Sequence, residues 1–180
     1  MVTYSEKGLR LLVLVCTVSA IIGAIAIVGV GVYLTVMAIQ GEYAIPLVLA
    51  EGLQIPHVVR AKSLASYLVY DLGLVITLSL GLSFVFLLRA MLRSLYRTKG
   101  FERSLPTMIN RMGVILILLS YMRQFLLLHA FNQDMGSLGG VIDFRFQLVP
   151  SAVIHALVLF VVARAFRYAL DLQHEYEQTV

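Results

Sequence analysis

The run LLVLVCTVSAIIGAIAIVGVGVYLTVMAI, residues 11–39, holds no charged side chain. Wound as an α-helix it extends about 43 Å at ~1.5 Å per residue, which exceeds the ~30 Å hydrocarbon thickness of a bilayer. It crosses with tilt and length to spare. A secretory signal has an apolar core of only about 7–15 residues followed by a small-residue cleavage site, so this run reads as a retained first membrane helix.

Three further runs repeat the pattern. The segment 63–88 is apolar with one acid, Asp71, and 112–130 is apolar with one base, Arg123. Residues 146–163 are uncharged between Arg145 and Arg164, which meets the lower limit for a crossing. Composition agrees, because hydrophobic residues make up 60% of the chain and charged residues 13%, against roughly 45–50% and 25% in soluble domains. The single cysteine, Cys16, excludes an intrachain disulfide and a cysteine metal cluster. The expected fold is an all-α integral membrane protein in one domain, a four-transmembrane-helix bundle. Its helices are placed at about 9–39, 63–93, 108–131 and 149–172, with outer loops at about 40–62 and 132–148. Small residues at Ser19, Gly23 and Gly31, and at Gly73, Thr77 and Gly81, mark the expected helix-packing stripes.

A net charge of +4 would suggest nucleic acid in a soluble protein, but in a membrane protein basic residues mark cytoplasmic loops. Ten of the 14 basic residues fall before the first span, between the second and third, or after the fourth. Only Arg60, Lys62 and Arg145 lie on the opposite side, and Arg123 lies within a span. The positive-inside rule therefore places both termini and the middle loop in the cytoplasm. No direct nucleic-acid binding is expected.

The outer loops carry a period-two pattern in Ile142, Asp143, Phe144, Arg145, Phe146, Gln147 and Leu148, which describes a strand with one buried face. The piece 44–49, interrupted by Pro46, offers a pairing edge, and Gly136, Gly139 and Gly140 allow turns. A small extracytoplasmic cap with short strands is expected, either as a cover over the helix ends or as a site for an external ligand.

An ionisable residue within a span costs several kcal/mol unless it faces protein, water or an opposite charge. Asp71 and Arg123 lie about 12 Å and 10 Å below the outer helix ends at the helical rise, with His155 at a similar depth and Tyr70 and Gln124 adjacent. These five residues form the candidate intramembrane polar cluster. Two readings stay open, a structural ion pair between the second and third helices and a proton-linked or ligand site. His129 and His155 are a weak haem or metal signal outside any spaced motif, so no cofactor and no metal is expected. No phosphate-binding glycine loop, zinc-protease helix or nucleophile elbow is present, and the chain is not expected to be an enzyme.

On the cytoplasmic side, Arg93, Arg97, Lys99, Phe101, Arg103 and Arg111 form a basic loop beside a tail with Glu175 and Glu177. This surface suits anionic lipid or a soluble partner. The residues Gly100 and Phe101, then Asn110, Arg111 and Gly113, and the ending Phe166, Leu170, Leu172, Gln173, Glu175, Glu177, Thr179, Val180 carry a resemblance. The chain resembles the bacterial four-span membrane proteins catalogued as domain of unknown function 2975. The resemblance implies an accessory protein of the bacterial inner membrane, often encoded beside a small helix-turn-helix regulator, and it brings no catalytic residues.

Three functions follow as expectations. The first is a non-enzymatic sensor or regulator that holds a helix-turn-helix transcription factor at its cytoplasmic face. The second is a small transporter or permeation subunit using Asp71 and Arg123. The third is a structural subunit, in a homo-oligomer or a larger membrane complex. Reporter fusions test the sidedness beneath all three. Alkaline phosphatase fused within 40–62 should be active and a cytosolic reporter there silent, and the reverse result would invert the topology.

Overall fold

Along the first helix, α1 (Thr3–Gln40), buried or half-buried side chains recur at Val13, Cys16, Ala20, Gly23, Ile27, Val30, Leu34 and Met37. The steps alternate three and four, a mean of about 3.5 that keeps one seam facing a partner helix in left-handed packing. That partner is α2 (Leu64–Thr98), followed by α3 (Leu105–Gln133) and α4 (Ser151–Thr179). The computed structural model describes residues 3–45, 59–98, 103–133 and 147–179. All four helices are long and apolar enough to cross a membrane.

They overrun the lengths expected from hydropathy, chiefly where α2 reaches Thr98, α3 starts at Leu105 and α4 runs to Thr179. Hydropathy marks where the apolar environment ends. Helical hydrogen bonding continues through the flanking Arg, Leu and Tyr residues, all of which a helix tolerates.

Packing follows chain order. α1 packs on α2, α2 on α3 and α3 on α4, and no other pair packs closely among the described residues. The expected bundle is therefore an open row rather than a closed ring of four. Helices in lipid gain little from hiding apolar side chains from one another, so nothing requires the row to close. Twelve Leu, Val and Ile side chains on α1, among them Ile25, Val28 and Ile39, are exposed. Leaving them in water would forgo on the order of 20 kcal/mol, more than the roughly 5–15 kcal/mol net stability of a domain. This face needs an apolar cover such as lipid.

The core sits at one end, where the chain leaves α1 and enters α2. α1 stops in a Schellman turn. Glu42 N–H donates to the Met37 carbonyl at 3.0 Å and Gly41 N–H to that of Ala38 at 3.2 Å, with Gly41 at a φ of 76° that suits glycine. The chain then pairs with itself. Ile45 N–H donates to the Val59 carbonyl and Ala61 N–H to the Tyr43 carbonyl, each at 2.8 Å, which makes an antiparallel bridge between Ala44 and Arg60. The edge at 44–45 is thus occupied by residues 59–61 of its own loop. Among the described residues there is this bridge and no strand. Residues 142–146 of the expected strand lie outside the described residues, as do Pro46, Gly136, Gly139 and Gly140.

Ile45, Val59 and Ala61 bury against Leu34 of α1, Tyr67, Tyr70 and Leu74 of α2, and Leu126 and Ala130 of α3. Tyr43 leans on Tyr67, with ring centroids 5.7 Å apart. We call this the clasped end and the opposite one the basic end. Ser63 caps α2 there, its Oγ accepting from Ser66 N–H at 3.2 Å.

Small residues set the spacing, but not all of those expected. On α1 the narrow stripe is Cys16, Ala20 and Gly23, where a Cβ on Gly23 would meet Leu82 at 3.3 Å; Ser19 is exposed and Gly31 faces open space. On α2, Gly73 lies under Leu126 and Thr77 is buried, whereas Gly81 has open space beside it. The tightest approach is at Gly113 of α3, where an added Cβ would come within 2.5 Å of the Phe160 ring of α4. Gly113→Ala should therefore destabilise by about 1–3 kcal/mol through overpacking. Gly29→Ala, at an exposed position with nothing within 4 Å, should be neutral or slightly stabilising. Thermal unfolding in detergent reads the difference, and equal midpoints would refute the close α3–α4 contact.

Candidate functional site

Polar side chains gather at the clasped end because the helices run antiparallel and bring the end of α3 beside the start of α2. Lys62 supplies two links to α3, its N–H donating to Gln133 Oε1 at 3.1 Å and its Nζ to the Asn132 carbonyl at 3.0 Å. His129 Nε2 donates to the Ser66 carbonyl at 2.9 Å, which fixes the ring proton on that nitrogen. Tyr67, fully buried, donates its hydroxyl to the Leu34 carbonyl of α1 at 3.1 Å. Three helices are thus tied by bonds between residues far apart in the chain. None of Lys62, Tyr67 or Gln133 stands in the expected cluster, and no local sequence signal pairs them.

The five expected cluster residues have different surroundings. Tyr70 is buried in the clasp core. Asp71, the next residue on α2, is half-buried, and its Oδ1 is buried without a hydrogen-bond partner, so it accepts nothing from Arg123. Arg123 is half-buried on α3. Gln124 turns toward the entry of α4. Its Oε1 accepts from Gln147 N–H at 2.9 Å, while its Nε2 is buried without a partner. One turn earlier, Tyr121 donates to the Leu148 carbonyl at 2.8 Å, so the two side chains together fix the approach to α4. His155 is exposed on α4, and its Nδ1 donates to the Ser151 carbonyl of its own helix at 2.8 Å. α4 packs on α3 and not on α2, so His155 stands apart from the helix that carries Asp71.

Of the expected weak haem or metal pair, His129 faces the Ser66 carbonyl of α2 and His155 the Ser151 carbonyl of its own helix, α4. No group of three or more His, Cys, Asp or Glu side chains lies together among the described residues.

The basic end is built differently. Arg93, Arg103 and Arg111 are exposed there, as is Glu175 on the last turns of α4. Lys99 and Phe101 lie outside the described residues, and so do the side chains of Arg97 and Glu177. Two clefts open between the helices. One, of about 220 Å³, is apolar throughout and runs from Met91 of α2 across Ile109 of α3 to Phe166 of α4. The other, of about 370 Å³, lies between α3 and α4 and is lined by Asn110, Val114, Phe160, Ala163, Arg164 and Arg167. Sequence reading counted Arg164 and Arg167 only as topological charges. Their i, i+3 spacing, which puts both on one side of a helix, is the signal the sequence offers.

Compared with known protein families, with curated proteins and with solved structures, the chain finds no match.

Removing the Tyr67 hydroxyl should cost stability, because a buried hydrogen bond is lost, whereas Asp71→Asn breaks no bond at Oδ1. Tyr67→Phe is expected to lower stability by about 0.5–1.5 kcal/mol. Asp71→Asn should lower it not at all. Unfolding in mixed detergent measures both, and a larger loss for Asp71→Asn than for Tyr67→Phe would mean that the charge of the carboxylate, and not a bond at Oδ1, holds the helices together.

Proposed function

We propose that this chain is a non-enzymatic regulatory or sensory protein of the bacterial inner membrane. Both termini and the α2–α3 connection face the cytoplasm, and the basic end holds a soluble helix-turn-helix regulator. The positive-inside distribution of Lys and Arg supports the sidedness. The likeness in the middle loop and the tail supports the class of partner.

One observation carries the reading. α4 continues as helix from Arg164 to Thr179, about 24 Å at ~1.5 Å per residue beyond the last residue of its uncharged run. Tyr168, Asp171, Leu172 and Glu175 are exposed along this arm. An arm with both apolar and acidic side chains suits a protein surface, since apolar anchors supply affinity and charges set register. On this reading the clasp holds three helices in fixed relation at the outer side, and the looser basic end does the signalling.

A second reading, a transporter or permeation subunit, is favoured by the buried, unpartnered Oδ1 of Asp71. Among the described residues the open row encloses no path within one copy, so on this reading several copies surround one. The third, a structural subunit of a larger membrane complex, is favoured by the exposed apolar face of α1.

Photocrosslinking separates them. A photoreactive residue placed at Tyr168 or Leu172 should capture a soluble DNA-binding protein in cells, and deleting residues 169–179 should abolish the capture. Adducts confined to integral membrane proteins would replace the regulatory reading with the structural one, and proton flux in proteoliposomes lost in Asp71→Asn would favour transport.

A further inference from the structure

The 370 Å³ cleft between α3 and α4 is graded along its length. Its α4 wall is a single stripe, Phe160, Ala163, Arg164 and Arg167, with the facing α3 wall made by Asn110 and Val114. Toward the middle of the helices the lining is apolar, from Phe160, Ala163 and Val114. Toward the basic end it is a carboxamide and two guanidinium groups. The change falls at the level where the uncharged run of α4 ends, between Ala163 and Arg164, and just before the apolar segment of α3 begins at Met112. In a bilayer that level is the boundary between acyl chains and headgroups.

Charge points the same way. Arg164 and Arg167 are one turn apart on one face, where like charges repel, and no acidic side chain is among the six lining residues. Guanidinium groups match phosphate oxygens in planar, bidentate geometry. The volume lies within the ~300–1,000 Å³ of small-ligand clefts. The neighbouring 220 Å³ cleft has no polar lining and offers nothing to a headgroup.

We infer that the α3–α4 cleft is a binding site for one anionic phospholipid of the adjoining leaflet. Its phosphate lies between Arg164, Arg167 and Asn110, and its acyl chain runs along Val114 and Phe160. The inference is independent of the partner-holding role of the α4 arm.

Native mass spectrometry of delipidated protein in neutral detergent tests it, with phosphatidylglycerol and phosphatidylcholine offered separately. Phosphatidylglycerol should be retained in preference, and Arg164→Gln with Arg167→Gln should weaken that retention by about thirtyfold, from roughly fivefold per arginine near a membrane surface. The charge-matched pair Arg10→Gln with Arg60→Gln, both exposed outside the cleft, should retain it as the parent does. Circular dichroism should be the same for all three proteins, and excess inorganic phosphate should not displace the lipid. Equal losses in the two double variants would overturn the site in favour of diffuse attraction. Displacement by inorganic phosphate would overturn the lipid in favour of a soluble anion, and equal retention of both lipids would overturn the proposal outright.

Discussion

At the clasped end the hydroxyl of Tyr67 reaches across to the Leu34 carbonyl, beneath a lid formed by Tyr43, Ile45, Val59 and Ala61. The rest of the architecture depends on that contact region. Among the described residues the helices pack only in chain order, so α1 has a single helical neighbour there, and most of its surface faces outward. Along the seam α1 and α2 meet through small residues. At the clasp they meet through large buried side chains and hydrogen bonds, which in an apolar medium are worth more than dispersion alone.

The two ends of the molecule are therefore physically unlike. One is filled, bridged by the Ala44–Arg60 pair and tied to α3 by Lys62 and His129. The other carries two clefts and helices that run on past their apolar spans. Even at the basic end Leu105, Ile109 and Met112 are buried and Gly113 lies against Phe160, so the clefts there open between helices that are in contact. Stability in such a structure is not uniform, and low-density regions are where ligands and partners engage. The proposed regulatory face and the proposed lipid site both lie there, at successive levels along α4.

Polar residues within the spans show how far composition can be read. Depth along a helix follows from residue number and the helical rise, and so Asp71, Arg123, Gln124 and His155 could be placed at one level. Direction around the axis does not follow in the same way, because it depends on which neighbour each helix packs against. Gln124 serves the entry of α4, His155 faces outward, and the Oδ1 of Asp71 is buried without a hydrogen-bond partner. The residues that join α3 to the start of α2, Lys62 with Gln133 and Asn132, and His129 with Ser66, are separated by more than sixty positions, and Tyr67 is 33 positions from Leu34. No local pattern records such a pairing.

The sequence by itself determined that there are four long apolar helices, roughly where each begins and ends, and which ends carry positive charge. These are properties of single segments, set by the energy of placing apolar or charged side chains in an apolar medium and by backbone bonds closed within each helix. Only the tertiary structure decided that the helices form an open row, that the first loop pairs with itself, and that Gly73 and Gly113, rather than Gly31 and Gly81, are the close contacts. Lipid treats one apolar face much like another, so the choice of neighbour rests on shape and on a few hydrogen bonds between distant residues, which become visible only once the chain is folded.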